Sequence, residues 1–161
     1  MIAICNTSPI SNLIQINQLP LLARQFDEVL IPPEVAMELD DGTEFLGDWR
    51  TAPGARILAT HAASDRALVQ ELSASLHPGE AAAIALAAQT AGAILIMDER
   101  DGRRVASRIG LRLTGTVGLL VAAKRRGDVS MIAPLLEQLR TEAKFWISDD
   151  VVRRALQLAG E

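Results

Sequence analysis

Ile2-Ala3-Ile4-Cys5, cut off at once by Asn6-Thr7-Ser8-Pro9, is an apolar run of small and β-branched residues bounded by turn formers. Such a run reads as a buried strand that ends in a turn. Thr7 or Ser8 can then cap a helix whose apolar face is Ile10, Leu13, Ile14 and Ile16, and Pro20 stops or redirects it. Val29 to Ile31 repeats the pattern. Pro32-Pro33 suits the first turn of a second helix, which runs through Val35, Met37 and Leu39 to Gly42. The spacing therefore gives strand, helix, strand, helix from the start.

The rhythm breaks between Asp40 and Ala55, where Gly42, Gly47, Pro53 and Gly54 predict an irregular loop carrying Phe45 and Trp49. Arg56 to Thr60 follows as an edge strand. Helical spacing resumes after Ser64, and His77-Pro78-Gly79 leads into the alanine-rich stretch Glu80 to Ala91, closed by Gly92. Alanine's helix propensity and a glycine just past the end make this the best-defined helix in the chain. Ala93 to Met97 is a strand ending at Asp98. A helix through Val105 and Ile109 reaches a Gly110 cap, Leu111 to Leu113 is a further strand, and Thr114-Gly115-Thr116 opens the next helix. Two more helices fall near Ile132 to Leu139 and Val151 to Leu158. Strands alternating with helices imply an α/β fold with a mainly parallel sheet covered on both faces.

At 161 residues, with no linker or internal repeat, the chain suits one domain over 1–161. Nothing in it approaches the roughly 20 consecutive apolar residues of a membrane span. A single cysteine, Cys5, cannot form an internal disulfide, and Met1 to Cys5 lack the features of a secretory signal, so a cytoplasmic location is expected. The formal charge of −4 gives no whole-molecule attraction for nucleic acid. Any phosphate contact must be local.

Chemistry concentrates in a few acids. Asn6 and Asp98 each follow an apparent strand, where sites lie in open parallel sheets. Glu38 stands one helical turn beyond Glu34, and Glu80 lies in the first turn of the alanine-rich helix. Oxygen ligands converging on one crevice suit Mg²⁺ or Mn²⁺, whereas two histidines and one cysteine fit zinc poorly. Each acid has a plainer role as well: Glu34 and Glu80 complement a helix dipole, Asp98 caps a helix, and Glu99 and Asp101 pair with nearby arginines. Arg100, Arg103 and Arg104, with Arg108 and Arg112, could hold a phosphodiester backbone or form a solvated, salt-bridged face. The few scattered aromatics offer no stacking platform for bases.

Several stretches together resemble the PIN-domain family, in the branch related to VapC-type toxins. They are Ile4-Cys5-Asn6-Thr7-Ser8-Pro9, Pro33-Glu34-Val35 with Glu38, Pro78-Gly79-Glu80-Ala81-Ala82-Ala83-Ile84-Ala85-Leu86-Ala87, Met97-Asp98-Glu99, Arg103-Arg104-Val105-Ala106 and Gly115-Thr116-Val117-Gly118-Leu119-Leu120. The similarity spans nearly the whole chain. It implies a three-layer α/β/α fold and a Mg²⁺- or Mn²⁺-dependent endoribonuclease site at Asn6, Glu38, Glu80 and Asp98, with Asp101 as an auxiliary. Asn6 stands where the family pattern has Asp, which keeps a carbonyl oxygen but removes one negative charge.

The expected reaction is metal-assisted hydrolysis of RNA phosphodiesters, with Thr7 or Ser8 bonded to the attacking water or the phosphate and Arg100, Arg103 and Arg104 along the RNA. A toxin role beside a cognate antitoxin protein is part of the same resemblance. The alternative is a catalytically weak or inactive PIN-like module that binds a protein or nucleic acid. Phe45, Trp49, Leu119, Leu120, Leu135, Leu136, Phe145 and Trp146 exceed what one buried stripe consumes, so a homodimer is expected. No Walker A or G-x-G-x-x-G signature marks a nucleotide-binding protein.

Overall fold

The computed structural model describes residues 1–161, and its elements follow the apolar runs. Five short strands, β1 (Ile2–Cys5), β2 (Glu28–Ile31), β3 (Leu58–Thr60), β4 (Ile94–Ile96) and β5 (Arg112–Thr114), form one sheet in the order β3-β2-β1-β4-β5. All four pairings are parallel, with Ile4 opposite both Leu30 and Leu95. The first strand is thus the central one. The strands that follow it build outward on one side as far as β3, and β4 then starts the other side. That reversal leaves a crevice beyond the ends of β1 and β4, the position at which open α/β sheets bind ligands.

Alternation along the strands explains the layers. Ala3 and Cys5, Val29 and Ile31, and Ile96 face a core completed by α1 (Thr7–Gln15), α2 (Leu21–Gln25) and α3 (Pro33–Asp41). Ile4, Leu30, Leu95 and Met97 point the other way, into a core completed by α5 (Arg66–Leu72), α6 (Pro78–Gln89) and α7 (Arg100–Arg108). A strand apolar on both faces has to be covered twice, which makes a three-layer α/β/α domain. The helix α6 is buried all round from Gly79 to Ala87, as expected of a helix without a polar face. It packs against α3 and α5 as well as the sheet. A third cluster joins α8 (Thr116–Arg126), α9 (Ala133–Thr141) and α10 (Asp149–Ala159) through Leu120, Leu136, Leu139 and Ile147.

Three expectations change. The Asp40–Ala55 loop holds a short helix α4 (Thr43–Leu46) and a 3₁₀ turn (Trp49–Thr51), and a second 3₁₀ turn (Ala55–Ile57) takes the start of the expected edge strand, so that β3 is confined to Leu58–Thr60 at the sheet edge. Trp49 and Phe45 part company. Trp49 is 5% exposed, donates its indole N–H to Asp40 at 2.8 Å and lies under the Arg50 guanidinium, whereas Phe45 is 85% exposed. Of the late apolar residues, Leu119, Leu120 and Leu136 are buried, Leu135 and Phe145 pack partly, and Trp146 stands out at 83% exposed. Most of the excess hydrophobicity is therefore absorbed within the chain. No helix is long and apolar enough to cross a membrane.

Candidate functional site

Asn6 ends β1 and occupies the cap position of α1 with extended backbone angles, its own N–H bound to the Ile96 carbonyl at 3.0 Å. This bond ties the exit of β1 to the exit of β4. The helix begins at Thr7 with no side-chain cap, a departure from the capping expected of Thr7 or Ser8. Both hydroxyls are instead directed at acids: Thr7 donates to Glu38 Oε2 and Ser8 to Glu99 Oε1. Asn6 is 2% exposed, and its amide Nδ2 donates to Glu99 Oε2 at 2.9 Å. Its Oδ1 is buried without a hydrogen-bond partner.

Glu38 reaches α6 from α3. Its Oε1 accepts the Gly79 N–H at 2.9 Å, in the first turn of α6, where backbone N–H groups lack helical partners. Glycine leaves room for this contact, because a Cβ on residue 79 would stand 2.5 Å from Glu38 Oε2. One residue on, Glu80 bends back to accept the His77 N–H at 3.2 Å and is almost wholly buried. Its helix-terminal role is real, but only Oε2 serves it. Glu34, expected on the face of Glu38, pairs with Arg66 of α5 at 2.8 Å.

Asp98 and Glu99 divide the work at the end of β4. Asp98 accepts the Thr116 N–H at 2.8 Å on Oδ1, and on Oδ2 both the Thr116 hydroxyl at 2.6 Å and the Asn12 amide at 3.2 Å. It therefore docks the start of α8 against α1 rather than capping the helix that follows it. Gly115 permits the approach, since a Cβ there would lie 2.7 Å from Asp98 Oδ1. Glu99, expected to pair with an arginine, turns into the crevice toward Asn6 and Ser8.

The arginines behave differently from one another. Arg103 donates to the carbonyls of Met97 at 2.7 Å and Thr114 at 3.0 Å, which fastens β4 to β5. Arg104 pairs at 3.2 Å with Asp101, and both side chains are largely exposed. Arg100 is exposed. Asp101 thus lies on the outer face of α7, separate from the acids at the strand ends.

Electrostatically the acids feel each other. Burial, first, holds the Glu80 carboxyl above its ordinary pKa; the His77 N–H opposes this, and the charges of Glu99 and Glu38 add to it. Burial also leads for Asp98, opposed by both Thr116 donors, with Glu99 again pushing upward. The Cys5 thiol beneath them is raised by burial and then by Asp98 and Glu99. None of Glu38, Glu80, Asp98 or Glu99 takes part in an ion pair with Lys or Arg. The donor set is all oxygen, and Asn6 Oδ1 lacks a partner, so the residues fit a hard divalent cation. As they stand, no three acidic, histidine or cysteine side chains are close enough to hold one ion among them. Loading would require the carboxylates to draw in.

Sequence reading passed over Glu99, Asn12, Thr116, Gly79 and Gly115 as working parts. One signal was available: Ser8 and Asn12 are polar at i and i+4, on a helix whose Pro9, Ile10 and Leu13 are core residues. On the far side of Asp98, a cleft of about 420 Å³ runs past Arg103 and Gly115 to Phe145, Trp146 and Val151.

Compared with known families, residues 2–161 match a family model described as a PIN domain. No curated protein and no solved structure matches the chain.

Proposed function

The chain belongs to the PIN-domain family, and from that nuclease-type fold we propose that it is a Mg²⁺- or Mn²⁺-dependent ribonuclease hydrolysing RNA phosphodiester bonds. The observation that carries this reading is that Glu38 on α3, Glu80 on α6 and Asp98 and Glu99 after β4 are all buried or partly buried and without basic partners, while Asn6 after β1 has an orphaned amide oxygen. Asn6, Glu38, Glu80 and Asp98 are the residues that would hold the cation. When bound, such a cation polarises a phosphoryl oxygen and lowers the pKa of an attacking water.

The chain's own contribution is positional and acid–base. Glu80 Oε1 makes no hydrogen bond, which leaves it open to meet the cation or to accept a proton from the attacking water. Thr7 and Ser8 keep hydroxyl donors at the mouth of the crevice, able to exchange an acid for a phosphate oxygen. Arg100 and Arg104, one turn apart on the exposed face of α7, suit the RNA backbone; Arg103 is already committed to main-chain carbonyls.

The test is cleavage of a mixed RNA pool with Mn²⁺, Mg²⁺ or EDTA, comparing wild type with Glu80→Gln. Asp98→Ala is a poorer choice because it also undocks α8. Metal-dependent cleavage lost in Glu80→Gln is the expected result. Folded wild type that cleaves nothing with either cation favours the second reading, a non-catalytic module binding protein or nucleic acid. The uncharged Asn6 and the separation of the acids support that alternative.

The proposal extends to the toxin half of a toxin–antitoxin pair, with an antitoxin protein and a second copy of the chain as partners. Exposed Met37 and Phe45, on the adjoining helices α3 and α4, support an interaction surface. A monomer at tens of micromolar in sedimentation, together with no small neighbouring reading frame, would count against this extension.

A further inference from the structure

We infer that Glu99, held against Asn6 by the Asn6 amide, is a cation ligand of this site and supplies the negative charge that Asn6 itself lacks. The inference rests on the metal-dependent reading above. Its starting point is the contrast between two adjacent acids. Asp98 already accepts three hydrogen bonds, of about four that a carboxylate can take, and all three hold α8 and α1 together. Glu99 accepts one on each oxygen, from Asn6 Nδ2 and the Ser8 hydroxyl. Both donors sit at the exit of β1, so the Glu99 carboxylate is carried across the switch point to the strand whose end bears no acid.

A second observation points to a ligand. Asn6 is 98% buried, counting from its 2% exposure, and the same amide that steers Glu99 leaves Oδ1 with no donor at all. A buried carbonyl oxygen without a partner is unfavourable unless something positive meets it. Nearby cations do not fill this role. Arg103 is held by carbonyls and Arg104 by Asp101, and no Lys or Arg pairs with Glu99 although three arginines follow it within five positions. Together, Asn6 and Glu99 present one neutral oxygen and one carboxylate, with the same net charge as a single aspartate at position 6.

If Glu99 were only a hydrogen-bond acceptor for Asn6 and Ser8, a glutamine would serve nearly as well, because its carbonyl oxygen still accepts. If it is a ligand, losing its charge weakens the cation and restoring a charge at position 6 brings it back. The experiment is calorimetric titration of the whole chain with MnCl₂ alone, with melting curves in EDTA and in Mn²⁺, for wild type, Glu99→Gln and Asn6→Asp/Glu99→Gln.

Glu99→Gln is expected to bind Mn²⁺ at least about tenfold more weakly, with the double variant within about threefold of wild type; neutralising a neighbouring carboxylate typically has effects of this order. The Mn²⁺-induced rise in Tm should follow the same order. Should Glu99→Gln fail to fold, Glu99→Asp takes its place: it keeps the charge, retracts it by one methylene, and is expected to weaken Mn²⁺ in the same direction. A folded Glu99→Gln that binds within twofold of a Mn²⁺-binding wild type overturns the Glu99 assignment and leaves the metal-dependent reading intact. Wild type that binds no Mn²⁺ overturns both.

Discussion

Alanine at position 79 tests the join between α3 and α6 most directly. A Cβ there would stand 2.5 and 2.6 Å from the two Glu38 oxygens and 2.8 Å from the carboxyl carbon, well inside van der Waals contact. The neighbour in the way is the end of a flexible side chain, so Glu38 retracts and the backbone stays. Retraction breaks the 2.9 Å bond from the Gly79 N–H and the bond from Thr7. Hydrogen bonds to charged groups are worth about 1.5–3 kcal/mol each, toward the lower end here because Glu38 is partly exposed and water replaces part of what is lost. Against this loss of about 2–3 kcal/mol, replacing glycine in a helix gains up to about 1 kcal/mol.

Gly79→Ala is therefore expected to destabilise by about 1–2 kcal/mol, a fall in Tm of roughly 2–8 °C for a domain of this size. Urea unfolding followed by circular dichroism measures it. The decisive comparison is the same change made in a Glu38→Ala background, where the space is clear: there Gly79→Ala should be neutral or slightly stabilising. The difference gives a coupling of about 2–3 kcal/mol between positions 38 and 79. An equal cost in both backgrounds, or a Gly79→Ala protein as stable as wild type, would refute the idea that Glu38 occupies the mouth of α6.

Two further outcomes follow from burial. Because Glu80 and Asp98 have native pKa values raised above their unfolded ones, first by burial, the penalty on their charged forms is absent below the ordinary carboxyl range near about 4 and complete above the raised native values. Cation-free stability attributable to them should fall as pH rises through that window, and the fall should be shallower in Glu80→Gln; urea midpoints from pH 4 to 7.5 that differ by a constant between the two proteins would contradict this. The two tryptophans should separate cleanly in thermal melts: Trp49→Ala, from a core position, should lose about 3–5 kcal/mol, while Trp146→Ala, at 83% exposed, should stay within about 0.5 kcal/mol. A large loss at Trp146 would mean that its ring is covered in solution.

The alternation of strand and helix was legible because each strand is an unbroken apolar run cut off by turn residues, and because the two sheet faces are covered by different helices. Ile2 to Cys5 contributes residues to both cores, which a half-solvated strand could not do. Asn6 and Asp98 were legible as strand-end residues for the same reason. The direction of a side chain one step farther on was not. Glu99 caps α7 with an extended backbone, and that turn carries it toward β1 while Asp98 faces α8. Neighbouring residues in sequence thus belong to different contacts. Spacing also cannot separate Phe45 from Trp49, which share a loop of mixed turns and differ only in which one meets the Asp40 carboxylate and the core.

Because β1 is made first yet lies in the middle of the sheet, its β4-facing edge stays open during synthesis until residues 94–96 have emerged. Asn6 has no carbonyl to meet at Ile96, and no Glu99 to hold, before that moment. Glu38 likewise waits for Gly79. A nascent chain that ends before residue 94 therefore carries Glu38 and Glu80 without the crevice that β4 completes.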